Sequence, residues 1–95
     1  MSADGAHIRT IGSQGSGPGQ FCTPTGVAVD GGGNIVVAEF GNNRVQVLTA
    51  DGRHVRTLGG AGSAPGQFCN PYGVAVDVDG CIIVADYSNN RVQMM

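Results

Sequence analysis

The sequence predicts an all-β fold made of two tandem copies of one small four-stranded antiparallel unit. Three observations predict it: glycine and proline punctuate the chain every few residues, the chain matches itself at a fixed offset, and short Val/Ile-rich runs recur at equivalent places. An offset of 47 aligns residues 3–48 with 50–95 without a gap, with 29 identities in 46 positions, so one structural reading serves both copies. The 17 glycines and four prolines leave no window with the i, i+3, i+4, i+7 apolar spacing of an amphipathic helix. With no Trp and 5% aromatics, the core must be built from Val, Ile, Ala and Leu, which favours sheets over a helical bundle.

Each copy opens on an Asp-Gly turn, Asp4-Gly5 or Asp51-Gly52, followed by a short polar strand at 7–11 or 54–58. A long Gly/Ser/Pro loop then ends in Gly-Gln-Phe-Cys. The segments at 26–30 and 73–77 alternate β-branched residues with Gly and Ala, as suits a strand with one crowded face. Tight turns lead to 35–38 and 82–85, apolar runs that imply cover on both faces. Asn42-Asn43 and Asn89-Asn90 then turn the chain into 44–47 and 91–94, where apolar and polar residues alternate and burial is expected to be shallower. A second Asp-Gly turn joins this strand to the outer, polar one.

Counted this way, the chain is a single unit of 95 residues, with a first repeat at 3–49 and a second at 50–95, cut out of phase by one strand. It begins with a lone outer strand (His7, Ile8, Arg9, Thr10, Ile11) and ends with a three-stranded unit whose last strand is Arg91, Val92, Gln93, Met94 and Met95. The two defects are complementary. The expectation is that the first segment pairs with the last strand of a neighbouring chain, giving two four-stranded blades per chain, circularly offset, which complete a ring by oligomerisation. Unclosed, the free edge and apolar faces would invite aggregation.

The spacing Gly-Gln-Phe, Pro-x-Gly-Val-Ala-Val-Asp, Gly-x-Ile-x-Val-Ala-(Glu/Asp), Asn-Asn-Arg-Val-Gln occurs twice and resembles the NHL repeat of β-propellers. The pattern also suits a propeller blade physically: small residues near the axis, a doubly covered second strand, and polarity rising toward the rim. The resemblance implies six blades most often, hence a homotrimer, with a tetramer of eight blades as the competitor. It also implies an alternative function as an interaction platform of the tripartite-motif type, binding protein or single-stranded RNA. A third class, an enzyme like the lyases built on related propellers, would need convergent polar groups that the sequence does not show. High identity between the copies suggests a piece excised from, or built after, a longer propeller, and differing pairs such as Thr25/Tyr72 point to natural parentage.

Composition narrows the partners. Net charge is −2, there is no Lys, and the five Arg are scattered, so RNA binding through a basic face is not favoured, Arg9, Arg53 and Arg56 notwithstanding. The longest apolar run is far too short to span a bilayer and the first residues carry no signal region, so a soluble, cytoplasmic protein without a membrane role is expected. Three cysteines without C-x-x-C spacing read as reduced thiols, with Cys22 and Cys69 as small plugs beside Phe21 and Phe68.

No catalytic, cofactor or metal site is expected. Glu39/Arg44 and Asp86/Arg91 flank equivalent hairpins and read as structural ion pairs, with ligand contact as the alternative. Asp30 and Asp77 read as turn caps rather than cation ligands around a channel. Asp77-Val78-Asp79-Gly80 lacks the remaining ligands of a calcium loop, and Gly15-Ser16-Gly17-Pro18-Gly19 lacks the Lys-Ser/Thr and helix of a phosphate cradle. His7 and His54 read as rim residues.

Overall fold

The computed structural model describes residues 10–95. Seven strands form two antiparallel sheets: β1 (Pro24–Val29), β2 (Ile35–Glu39), β3 (Arg44–Leu48) and β4 (His54–Gly59) in the first, β5 (Pro71–Val76), β6 (Ile82–Asp86) and β7 (Arg91–Met94) in the second. In both sheets the strands lie in chain order, each joined to the next by a hairpin. A single 3-10 turn, Tyr87–Asn89, is the one helical element among the described residues.

The turns explain the register. Asp30 Oδ1 accepts from the backbone N–H of Gly32 and Asn34, both at 2.9 Å, and Asp77 Oδ1 does the same for Asp79 and Cys81. These Asx turns close the first hairpin of each sheet, as the sequence suggested. The hydrogen bonds from Asn34 above all, and from Gly32, hold the Asp30 carboxyl below its ordinary value against the opposing effect of burial. At the second hairpins Asn43 and Asn90 both sit at φ 53°, a left-handed conformation that Asn tolerates better than other side chains with a Cβ.

The first hairpins set Gly26 opposite Ala38 and Val27 opposite Val37, and the second set Val36 opposite Val47 and Ala38 opposite Val45. One face of the first sheet therefore presents Ala28, Val36, Ala38, Val45 and Val47. It packs against Phe68, Ile82 and Val84, with Val74, Val76 and Met95 at the margin, and this is the hydrophobic core. Full burial of each of its Val, Ile and Phe side chains contributes roughly 1.5–3 kcal/mol.

Two expectations, both on burial, need revision. Strand β3 was expected to be shallow, yet Val45, Gln46, Val47 and Leu48 are all buried, because the second sheet covers one face and the loop before β1 covers the other. Strand β6 was expected to be covered on both faces, yet Ala85 is exposed and Ile83 half-buried, since nothing among the described residues covers the far side of that sheet. The expected strand at 7–11 falls largely outside the described residues, as His7, Ile8 and Arg9 do. Its remaining members, Thr10 and Ile11, belong to no strand. Strand β4 runs from the outer edge of the first sheet into the loop that delivers β5 beside β1.

Candidate functional site

Each sheet carries a polar clasp built on the carboxylate at the end of its second strand. Glu39, fully buried, accepts from Arg44 Nε at 2.8 Å and Gln46 Nε2 at 2.8 Å on Oε2, and from Asn42 Nδ2 at 2.8 Å and the Cys22 N–H at 3.3 Å on Oε1. The same side chains then hold the loop before β1. Arg44 donates to the carbonyls of Ser16, Gly17 and Gln20, Asn42 to that of Gly15, and Gln46 to that of Gln20.

The second sheet repeats this contact by contact. Asp86 accepts from Arg91 Nε at 2.8 Å, Asn89 Nδ2 at 3.0 Å, the Cys69 N–H at 2.7 Å and Gln93 Nε2 at 3.4 Å. Arg91 reaches the carbonyls of Ser63, Ala64 and Gln67. Burial by itself would raise the Asp86 carboxyl, but the hydrogen bonds from Asn89, Cys69 and Arg91 outweigh it and hold the group below its ordinary value.

The residues Glu39, Arg44, Asp86 and Arg91 thus sit in closed ion pairs, at 2.8 Å in each sheet. Among the described residues no buried side-chain nitrogen or oxygen lacks a partner, so the clasp is satisfied from within the chain. Asn42, Gln46, Gln20 and their equivalents Asn89, Gln93 and Gln67 belong to the clasp although the sequence reading treated them as turn, strand and loop residues. Their recurrence within Asn-Asn-Arg-Val-Gln and Gly-Gln-Phe in both copies was the available signal. Cys22, Cys69 and Cys81 are free, half-buried thiols, and no group of three or more His, Cys, Asp or Glu among the described residues is placed to hold a metal ion.

The second candidate surface is the seam between the sheets. Gly26 on β1 meets the backbone of β5 so closely that a Cβ there would lie 2.7 Å from the Tyr72 carbonyl oxygen and 2.9 Å from Gly73 Cα. Thr25 Oγ1 donates to the Tyr72 carbonyl at 2.6 Å, the Asn70 N–H donates to Asn43 Oδ1 at 2.8 Å, and Asn70 Nδ2 to the Phe40 carbonyl at 3.3 Å. Beside this seam Phe40, Tyr72 and Tyr87 form an aromatic trio with centroids 6.1 to 6.5 Å apart, and both tyrosines are exposed.

Two faces are left partly uncovered by the described residues. On the first sheet, the side away from the core leaves Val27 and Val29 exposed beside a 260 Å³ apolar groove lined by Phe21, Ile35, Val37 and Leu48. On the second sheet, Val92 is 65% and Met94 64% exposed. Of the residues expected to exchange strands, Thr10 is exposed, and Ile11 lines the groove on the first sheet and lies against Gly52. Arg91, Val92, Gln93 and Met94 form β7 at the edge of the second sheet, and Met95 continues the pairing through two backbone hydrogen bonds with Ile82.

Two stacked antiparallel sheets, with an outer strand feeding the inner strand of the next sheet and a clasped loop between them, define a repeat protein of the β-propeller type. The NHL repeat matches residues 21–48 and 68–94, together more than half of the chain. The chain belongs to the NHL-repeat family. A 40-residue stretch is 50% identical to protein lin-41 of Caenorhabditis elegans, covering 42% of this chain and 4% of that protein. Another of 43 residues is 49% identical to the E3 ubiquitin-protein ligase TRIM71 of Rattus norvegicus, covering 45% and 5%. The TRIM71 of Mus musculus is 53% identical over 38 residues, 40% of this chain and 4% of that protein. The matches span only 4 to 5% of the length of these curated relatives. Among the described residues no helix is long and apolar enough to cross a membrane.

Proposed function

We propose that this chain is a non-enzymatic propeller scaffold that assembles with copies of itself, head to tail, into a closed ring. One observation carries the reading. By the 47-residue equivalence, the bare face of the first sheet corresponds to the covered face of the second, and the bare face of the second corresponds to the covered face of the first. Val92 and Met94 are the counterparts of Val45 and Val47, which are 0% and 2% exposed inside the core. The two surfaces left over are therefore the two that already fit each other.

Such a contact is heterologous, and it closes only where the rotation per chain divides a full turn. Three chains would give the six blades that the family resemblance implies, and four would give eight. In this reading residues 7–11, whose sequence matches that of β4, supply the missing fourth strand beside Arg91–Met94 of the next copy. The measurement is the mass in solution by light scattering, with the full chain and with residues 1–12 removed. A trimer that falls apart or precipitates on truncation supports the scheme. An oligomer indifferent to truncation refutes strand exchange, and a monomer of the full chain refutes self-assembly.

A second reading, an interaction platform for protein or single-stranded RNA, is supported by the exposed Tyr72 and Tyr87 beside Phe40, since aromatic faces stack on bases and pack against apolar side chains. The net charge of −2 counts against RNA. Titration with single-stranded RNA at two salt concentrations decides: binding that weakens as salt rises supports it, and no binding removes RNA. The ligase activity in the TRIM71 name belongs to proteins of which the chain matches a small part. The buried polar groups here form satisfied structural networks, which supports a scaffold over a catalyst.

A further inference from the structure

The structure holds a contact whose counterpart has nothing to touch. At the seam, Gly26 must be a glycine because the backbone of β5 passes within van der Waals distance of where a Cβ would stand. Its equivalent in the second sheet, Gly73, has no atom of the described residues within 4 Å of such a Cβ, and its φ lies outside the left-handed region. Within one chain, then, neither space nor backbone conformation requires a glycine at 73. We infer that Gly73 is a docking point for a second copy of this chain, whose β1 backbone at Thr25, Gly26 and Val27 lies against it as Tyr72, Gly73 and Val74 lie against Gly26. This rests on the self-assembly proposed above and adds the residues that make the contact.

The rest of the seam transfers with it. Asn43, at φ 53°, presents its side-chain oxygen to the N–H of Asn70, at φ 55°. The counterparts Asn90 (φ 53°) and Thr23 (φ 49°) hold the same backbone conformations and are both exposed. A left-handed β-branched residue such as Thr23 is rare, so its match to Asn70 marks a receptor already shaped before docking. Asn90 Oδ1 of one copy accepts from the Thr23 N–H of the next. Above that contact, Val92 and Met94 enter the groove lined by Phe21, Ile35, Val37 and Leu48, as Val45 and Val47 enter the pocket formed by Phe68, Ile82 and Val84.

The occupant is another copy because these surfaces repeat an interface the molecule already makes, residue for residue, and a different partner would have to imitate both halves of it. Two substitutions test this in the full chain, by sedimentation velocity across a concentration series with circular dichroism as the control for folding. Gly73→Val enters open space in the single chain, so the sheet spectrum is retained while the oligomer gives way to a 95-residue monomer. Asn90→Gly keeps the left-handed turn and removes the side-chain acceptor, and it weakens association about fivefold, the loss of one neutral hydrogen bond. An assembled wild type with Gly73→Val assembling equally well overturns the docking point while leaving self-assembly intact. Should Gly73→Val lose its sheet spectrum, unchanged association of Asn90→Gly overturns the seam. A monomeric wild type overturns both, and assigns the bare faces to blades elsewhere in a longer polypeptide.

Discussion

The two sheets share a sequence pattern and a fold yet differ in what water can reach. Val45 lies inside the core and Val92, its counterpart, lies on the surface; a Cβ at Gly26 would run into a neighbouring backbone and one at Gly73 would meet no described residue. Arg44 is 14% exposed in its ion pair and Arg91 30%. Since the local sequence is nearly the same, the difference must come from the neighbours: the first sheet has the second on one side, and the second has nothing beyond it among the described residues. In a repeat architecture, burial is a property of the junction between units, and a unit takes its stability from what is stacked on it.

The two sheets should differ most at the clasps. Glu39→Ala leaves Arg44, Gln46 and Asn42 without their common acceptor in a buried site, and is expected to cost about 3–5 kcal/mol in urea unfolding. Asp86→Ala, beside the better hydrated Arg91, should cost less, about 1.5–3 kcal/mol. Equal losses would mean that the two sheets are equally protected.

The apolar pair comes next. Val45→Ala opens a cavity in the core and should cost about 2 kcal/mol, whereas Val92→Ala should stay within about 0.5 kcal/mol where chains are dilute enough to remain apart. A rise in the cost of Val92→Ala with protein concentration would report the second face becoming covered. Thr25→Val deletes the hydroxyl that reaches the Tyr72 carbonyl and should cost about 1 kcal/mol, read from the same unfolding curves. Tyr72, which stands at the equivalent place in the second sheet, has no hydroxyl at that position to lose.

Acid supplies the gentlest test. The Asp86 carboxyl is held below its ordinary value of 3.8 in the folded chain, so the unfolded chain takes up its proton first. Its contribution is complete above pH 3.8 and is lost as the pH falls through the lower folded value. The unfolding midpoint should therefore drop in that acidic window and be flat above it, and Asp86→Asn should remove part of the slope.

Much of this was legible from the residues. The strands follow from β-branched runs between Asp-Gly and Asn-Asn turns, and the turn role of Asp30 and Asp77 follows from their position before Gly-rich hairpins. The depth of β3 was not legible, because Arg-Val-Gln-Val alternates as a half-exposed strand would. Gln46 is buried and Arg44 half-buried only because both turn inward to hold a loop some 25 residues earlier in the chain. The clasp was half visible: opposite charges at Glu39 and Arg44 announce a pair, but not that Asn42, Gln46 and the loop carbonyls close around it. Nor does the pattern reveal the aromatic trio, since Tyr72 stands where the first copy has Thr25.

By itself, then, the sequence determined that the chain is β, that it is duplicated, where it turns, and which charges pair, because those depend on side-chain period and short-range backbone chemistry. Which of two nearly identical faces is core and which is surface, and which of two equivalent glycines is indispensable to the single chain, was decided only by the tertiary structure. Those properties arise where one sheet meets the next, and a residue carries no record of the neighbour that will stand against it.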